Sequence, residues 1–275
     1  MPAPTGGQSV VIGGQVTGLS YQTSLTIPAG QTSNSFTITT STSVASNINT
    51  TVTGTCNSVS ASAPLTVNAE AITGVATSPS SINTGASDHI TVTVSQPAGA
   101  AGLGVTLTWS TPGVTINGSS TGSYSYTMGA GETSFQVTAR TNAMVITSNT
   151  TVTITATLSN GSTYSGSFTV NATATSFSSI NTPSGSPGDT VTLTATLKDS
   201  TNSPVAYYTV TFVVLDGSHG GNGTTITATT NSSGVASGSY TIPTGASPGS
   251  LSFTVTFAGS NGYAGSTGTG SITVL

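Results

Sequence analysis

The stretch "TTVTITATLSNGSTYSGSFTVNA", residues 150–172, decides how this chain folds. Val152, Ile154, Ala156 and Leu158 alternate with Thr, and beyond a Ser-Asn-Gly turn the alternation resumes through Phe168 and Val170. Successive side chains of an extended backbone point to opposite faces, so the run places aliphatic groups on one face and hydroxyls on the other. That is the pattern of a half-buried antiparallel strand. The same period of two recurs in "HITVTVS" (89–95), "GVTLTWS" (104–110), "DTVTLTATL" (189–197), "YTVTFVV" (208–214) and "LSFTVTF" (251–257). Clusters of Gly, Pro, Asn and Ser separate the runs at intervals of about ten residues, the spacing of a β-sandwich. No helical periodicity of useful length is present, so the fold is expected to be all-β.

Internal repetition sets the layout. Residues 50–69, "TTVTGTCNSVSASAPLTVNA", echo 150–172; "IPAGQTSNSFTITT" (27–40) matches "MGAGETSFQVTART" (128–141); and "APTGGQSVVIGG" (3–14) matches "QPAGAAGLGVTLTWS" (96–110). A third copy shares "SSINT" (178–182 against 80–84), and "FTVTFAGSNG" (253–262) parallels "VTITATLSNG" (152–161). Three domains follow, 1–69, 70–172 and 173–275, with edges near Ala69/Glu70 and Ala172/Thr173. The second spends residues 71–96 on two strands before its "QPAGA" turn, whereas the first has almost nothing before the corresponding "PTGG". Domain one therefore lacks its first two strands. The gap leaves an apolar face and unpaired backbone groups. Upstream residues of a longer chain or a strand from a neighbouring molecule would fill it, with Ser9, Val10, Val11 and Ile12 as the candidate assembly strand.

The patterns "SPSSINTGASDHITVTVSQPAGAAGLGVTLTWS … AGETSFQVTART … TTVTITATLSNGSTYSGSFTV" and "SGSPGDTVTLTATLKDSTNSPVAYYTVTF … NSSGVASGSYTIP" resemble the bacterial immunoglobulin-like (Big-type) repeats of prokaryotic surface and secreted proteins. The resemblance covers nearly the whole chain. It implies tandem Ig-like β-sandwiches, the first incomplete, working as extracellular spacers, stalks or adhesive arrays with no shared active site.

Composition narrows the function further. Charged residues make up 3% of the chain, against about a quarter in an ordinary domain. The two basic side chains, Arg140 and Lys198, cannot hold nucleic acid by phosphate neutralisation. No run of about 18 apolar residues is present to span a membrane. "MPAPTGGQSV" lacks a basic n-region and an apolar h-region, so either a signal has been removed or the sequence is a piece of a longer chain.

Few residues could carry chemistry. Asp88 and His89 are adjacent on a strand and face opposite ways. Asp216 and His219 in "DGSHGGNG" are two donors without a third, a poor metal site. No catalytic, cofactor-binding or metal-binding residues are therefore expected, and an enzyme is not. Cys56, aligned with Ala156, reads as a buried thiol, and Trp109 as a core residue sharing parity with Val105 and Leu107. Lys198 reads as an exposed loop lysine. Sequons at Asn49, Asn117, Asn149, Asn160, Asn171, Asn222 and Asn231 are candidate glycosylation sites, no more numerous than chance provides.

The connectors "VNAEAITGV" (67–75) and "VNATATSF" (170–177) carry almost no Gly or Pro and predict stiff junctions. Uncharged, Thr-rich sheet edges favour lateral association, and scarce titratable groups predict nearly pH-independent stability. The expected function is a non-enzymatic extracellular or cell-surface structural protein, a segment of a fibre, filament or stalk assembled through β-sheet edges. The expected partners are further copies or upstream domains of the same protein. The alternatives are an adhesin for glycans or host proteins, with Tyr207, Tyr208 and Tyr263 as contacts, or a passive spacer of a larger secreted enzyme.

Overall fold

The computed structural model describes residues 1–40, 44, 46–142, 145–217 and 221–275. The described residues hold twenty-three strands and no α-helix, and no helix is long and apolar enough to cross a membrane. The protein is all-β. Its strands fall into three successive groups of sheets, called modules below.

The second module shows the complete plan. It comprises β7 (Ile72–Ser78), β8 (Ser81–Asn83), β9 (Ser87–Val94), β10 (Leu103–Thr108), β11 (Val114–Ile116), β12 (Ser123–Met128), β13 (Ser134–Thr141), β14 (Thr150–Leu158) and β15 (Thr163–Asn171). Two sheets, ordered β12-β10-β14-β15-β8 and β11-β13-β9-β7, share one core. Ile90 and Val92 from one sheet and Leu107, Val152, Ile154 and Phe168 from the other are at most 1% exposed. The alternation of the 150–172 stretch is what puts Val152, Ile154, Ala156 and Leu158 on that inner face. Between β7 and β8 the chain changes sheets, and β8 then lies parallel against the end of β15, pairing Ser81–Asn83 with Thr169–Asn171.

The third module repeats this plan with β16 (Thr175–Ile180), β17 (Ser184–Gly185), β18 (Thr190–Asp199), β19 (Thr209–Val214), β20 (Thr224–Thr229), β21 (Val235–Thr241), β22 (Gly249–Phe257) and β23 (Ser266–Val274). Its sheets are β16-β18-β21 and β17-β23-β22-β19-β20, and β17 runs parallel against the end of β23 as β8 does against β15. Phe212, Phe253, Leu193 and Ile272 are fully buried between them.

The first module has β1 (Gln8–Gly13), β2 (Leu19–Ser20), β3 (Ser24–Ile27), β4 (Thr39–Thr40), β5 (Ile48–Cys56) and β6 (Val59–Val67). They form one four-stranded sheet, β3-β1-β5-β6, and a two-residue ladder, β2-β4. Backbone bonding sets its register against the second module. Ala3 and Gln31 exchange an N–H···O bond of 2.8 Å, as do Ala98 and Glu132, and Gly30 donates to Ala3 at 2.9 Å where Gly131 donates to Ala98 at 2.8 Å. Gly7 and Gly102 both have φ near +80°, and a Cβ on either would strike the carbonyl of the facing strand, Ile27 or Met128. From Ala3 onward, then, the first module matches the second from Ala98 onward. Nothing in it corresponds to β7, β8 or β9.

Candidate functional site: an uncovered sheet face

The inward-facing positions of the first sheet are Gln8, Val10 and Ile12 on β1, Leu25 and Ile27 on β3, Ile48, Thr50, Val52, Gly54 and Cys56 on β5, and Val59, Ala61, Ala63, Leu65 and Val67 on β6. Of these only Ile12, at 7%, is buried, and among the described residues of this module the other buried apolar ones are Tyr21 and Val44. At the equivalent places in the second module Leu107, Phe168 and Val170 are no more than 1% exposed. The side-chain pattern for a core is present; the second layer is not. No Asp, Glu, Lys, Arg or His occurs anywhere in residues 1–69, so this face carries no side-chain charge.

Two further features follow from the absent strands. In the second module Ser134–Thr141 is an eight-residue strand because β9 pairs along it, Phe135 opposite Val92 and Val137 opposite Ile90. The matching segment from Ser33 to Ile38, which carries Phe36, is not a strand; only Thr39–Thr40, held by β2, is. A strand with no neighbour to take its N–H and C=O groups gains nothing from staying extended. Along the other edge β6 has no counterpart of β8, so it is the terminal strand of its sheet. Pro64 interrupts that edge: it has no N–H, and it lies two residues before Thr66, the counterpart of Thr169, which donates outward to Ser80 at 3.0 Å.

Ser9, Val10, Val11 and Ile12 lie on β1, an interior strand paired with β3 on one side and β5 on the other. They contribute Val10 and Ile12 to the open face; the ladder to β5 begins at Val11, so Ser9 and Val10 are paired on the β3 side. Val11, 59% exposed, points to the opposite face.

Cys56 is half-buried rather than buried. Ile12 pairs with Gly54 and its counterpart Leu107 with Ala156, so Cys56 holds the place of Leu158, not Ala156. Leu158 is 2% exposed; Cys56 differs because no layer covers it. Sequence alignment misses this shift because it lines up the identical TTVT strings at 50–53 and 150–153; the Asn57–Ser58 turn, both residues at positive φ, is also one residue shorter than the Ser-Asn-Gly turn after Leu158.

The remaining chemistry-bearing residues act in turns and cores. Glu132 accepts from the Gly129 N–H at 2.7 Å and Asp189 from Ser186 at 2.8 Å, each closing a turn. Asp199 accepts from the Thr201 hydroxyl at 2.7 Å and from the N–H groups of Thr201 and Ser203, contacts that hold its carboxyl below the ordinary value. Asp216 accepts from Thr224 at 2.6 Å and from the Tyr240 hydroxyl at 2.9 Å. Burial, reinforced by that carboxylate, pushes the Tyr240 pKa up. His219, paired with Asp216 in the sequence reading, lies outside the described residues. Among the described residues no three of His, Cys, Asp and Glu converge as metal ligands. Lys198, half-buried near the end of β18, donates to the side chain of Asn202 at 3.0 Å. Trp109 is 7% exposed in the second core and donates to the Val114 carbonyl at 2.9 Å.

Asp88 is the exception. It is 0% exposed, and neither carboxylate oxygen has a well-formed hydrogen bond. Desolvation raises its pKa, partly offset by the nearby N–H groups of His89 and Ser78. Its counterpart Asp189 instead turns outward to close the Ser186 turn.

The sequon amides differ in how far the fold uses them. Asn117 donates to Tyr124 at 3.1 Å and accepts from Thr138 at 2.9 Å; Asn160 donates to the Glu70 carbonyl at 2.8 Å and accepts from Ser162 at 3.0 Å. The Asn49, Asn149 and Asn231 oxygens accept from Thr66, Ala172 and Ser233 respectively. Asn171 lies on β15, and Asn222 is exposed.

Several of these bonds hold the connectors. Asn47 accepts from Ala69 N–H at 2.8 Å on the upstream side of the first junction, while Asn160 and Ser162 hold Glu70 and Ile72 from downstream. At the second junction Asn149 takes the Ala172 N–H, and Thr173 bonds to both Gly262 and Ala264, at 2.7 and 2.8 Å. A cleft of about 540 Å³ beside the first connector is lined by Val44, Val67, Glu70 and Pro97, and burial raises the Glu70 pKa.

No protein-family model matches the chain, and no curated protein sequence matches it. Among solved structures it is similar to a tetra-tandem repeat in the extending region of a large adhesion protein, at 22% identity and a TM-score of 0.38, over 98% of this chain and 67% of that one. It is also similar to domains 4 and 5 of the S-layer protein SbsC, at 16% identity and a TM-score of 0.27, over 59% of this chain and 69% of the other. The likeness to domains 4–9 of surface layer protein SbsC, at 14% identity and a TM-score of 0.29, takes in 100% of this chain but 40% of that one. At these scores the superpositions are loose, and the fold rests on the strand pairings described above.

Proposed function

We propose that this chain is a non-enzymatic structural segment of an extracellular surface fibre or stalk, built of three domains with edges near Ala69/Glu70 and Ala172/Thr173 and assembled through the incomplete first one. The uncovered, chargeless inner face of residues 8–67 carries this reading, because an apolar sheet face left in water is a contact surface in waiting. Connectors whose backbone groups are bonded from both sides support a stiff rod. Scattered acids engaged in turns support the absence of catalysis. Glycans on sequons whose amide nitrogens are free of the fold would shield a surface nearly without charge, which favours Asn49, Asn149, Asn171, Asn222 and Asn231 over Asn117 and Asn160. Electron microscopy of the purified protein tests the reading: regular filaments are expected, and isolated rods at all concentrations would overturn assembly through the first domain.

A second reading, an adhesin, is favoured by one observation. Tyr207 is 74% exposed and held at a φ of 67°, a conformation uncommon for an aromatic residue, beside the Tyr208–Tyr263 ring pair. Binding on a glycan array that is lost in Tyr207→Ala would support it.

A further inference from the structure

The second and third modules state what a covering layer must look like, and the first module states what it lacks. In the second module one continuous segment, Ile72–Val94, supplies everything missing. β7 crosses above β15, β8 seals the β15 edge in parallel, and β9 pairs antiparallel along β13 while Ile90 and Val92 fill the core. In the third module β16, β17 and β18 do the same. In the first module the three matching acceptors stand empty together: the apolar face, the outward edge of Thr66–Asn68, and the non-strand segment from Ser33 to Ile38. Pro64 limits strand addition on β6 to the stretch just after it, the short reach that β8 uses.

We propose that the first sheet is completed by one segment of a polypeptide outside residues 1–275, with the chemistry and length of Ile72–Val94. It is a sheet-switching pair of strands in which Val or Ile alternates with Thr or Ser. It docks parallel against Thr66–Asn68 and then antiparallel along Phe36 and Ile38. This deepens the fibre reading above and rests on it for the biological role, though not for the docking. A face without charge selects apolar inward side chains on its partner, since a buried unpaired charge would be left without compensation; the one acid of the template, Asp88, is already buried without a partner in the second module, where burial favours its protonated form. A second copy of the chain cannot supply the segment from its own second module without exposing Ile90 and Val92, which are 0% exposed there.

One position tunes the fit. In the second module a Cβ on Gly166 would lie 2.2 Å from the Val75 carbonyl oxygen, so glycine lets β7 approach. Counting back from Val67 and Val170, the residue in that place is Ala63. The incoming strand therefore stands off further than β7 does, and Ala63→Gly should let it close in.

Cys56 reports the docking directly, because it sits on the open face where a covering layer would bury it as Leu158 is buried. The probe is a synthetic peptide of residues 71–97 added to the intact chain. It should slow modification of Cys56 by an aromatic disulfide reagent saturably, by roughly tenfold or more, and protect the amides of residues 33–38 from hydrogen exchange. The half-saturating concentration should fall in Ala63→Gly. A peptide carrying Ile90→Asp and Val92→Asp should do neither. As a second arm, a copy of residues 71–97 joined directly to Ala3, the counterpart of Ala98, should give the same protection within one chain. Cys56 remaining fully reactive in both arms overturns the inference. So does Cys56 protected without peptide by face-to-face pairing of two copies, seen as a doubled mass in sedimentation. An unchanged half-saturation in Ala63→Gly overturns the strand placement. The two readings fail separately: docking without filaments sinks the fibre, and filaments with Cys56 still reactive sink the docking.

Discussion

The first and second modules use nearly the same sequence pattern to opposite effect. Gln8–Val67 and Leu103–Val170 share turns, glycines at positive φ and strand order, yet among the described residues the second module buries twenty-four apolar residues in one cluster, seventeen of them within Leu103–Val170, and the first buries three. Alternation makes a face that can be buried, and only a second layer makes a core. Even local structure obeys the difference, since of the residues matching β13 only Thr39–Thr40, held by β2, stay a strand when β9 is missing.

The sharpest way to break this comparison is to cut the same side chain from both modules. Phe168→Ala should cost about 3–5 kcal/mol, read by denaturant unfolding followed through Trp109, which lies in the second core. Its counterpart Leu65→Ala should cost about 1 kcal/mol or less, since a half-buried group with no facing layer loses less on removal. Equal losses would mean the first face is covered after all.

Filling glycines sharpens the same contrast. Gly166→Ala drives a methyl into the Val75 carbonyl and should destabilise the second module by about 1–3 kcal/mol. Gly54→Ala meets only the Val10 side chain at 3.5 Å and should be neutral or stabilising by up to about 1 kcal/mol.

A pH effect separates the modules as well. The Asp88 carboxyl is raised above its ordinary value of 3.8 by burial, so folding favours its protonated form. The stability of the second module is therefore complete below that value and falls as pH rises through the raised one. Unfolding followed through Trp109 should come at higher denaturant at pH 3.5 than at pH 7, and Asp88→Asn should flatten the difference. The first module, with no ionisable side chain but Cys56 and Tyr21, should show none. The smallest effect belongs to the junctions: Asn47→Ala or Asn149→Ala removes one hydrogen bond, worth about 0.5–1.5 kcal/mol, and should show as faster proteolysis at the connector more than as lost stability.

Much of this was legible in the residues. The Thr–Val alternation of 150–158 and 189–197 identifies strands because the period of two has no other physical source, and the match of "PTGG" to "QPAGA" with the shared "TVNA" ends is what points to a shortened first module. Three things were not legible. The short parallel strands β8 and β17 span three and two residues, too few for a period to register. Cys56 shifts by two places because the identical TTVT strings at 50–53 and 150–153 align by sequence, whereas strand pairing puts Thr50 in the place of Val152. The expectation of pH-independent stability did not allow for Asp88, since an acid that opens a strand reads the same whether it closes a turn, as Asp189 does, or is buried, as Asp88 is.

The two basic residues have a consequence of their own. Trypsin-like enzymes cut only after Arg140 and Lys198, and both lie within ladders, Arg140 between Thr115 and Ser87 and Lys198 opposite Ser176. A protease must draw its substrate out as a free extended strand, and neither site offers one. Against trypsin-like enzymes, the folded chain would persist where ordinary lysine-studded proteins are cut.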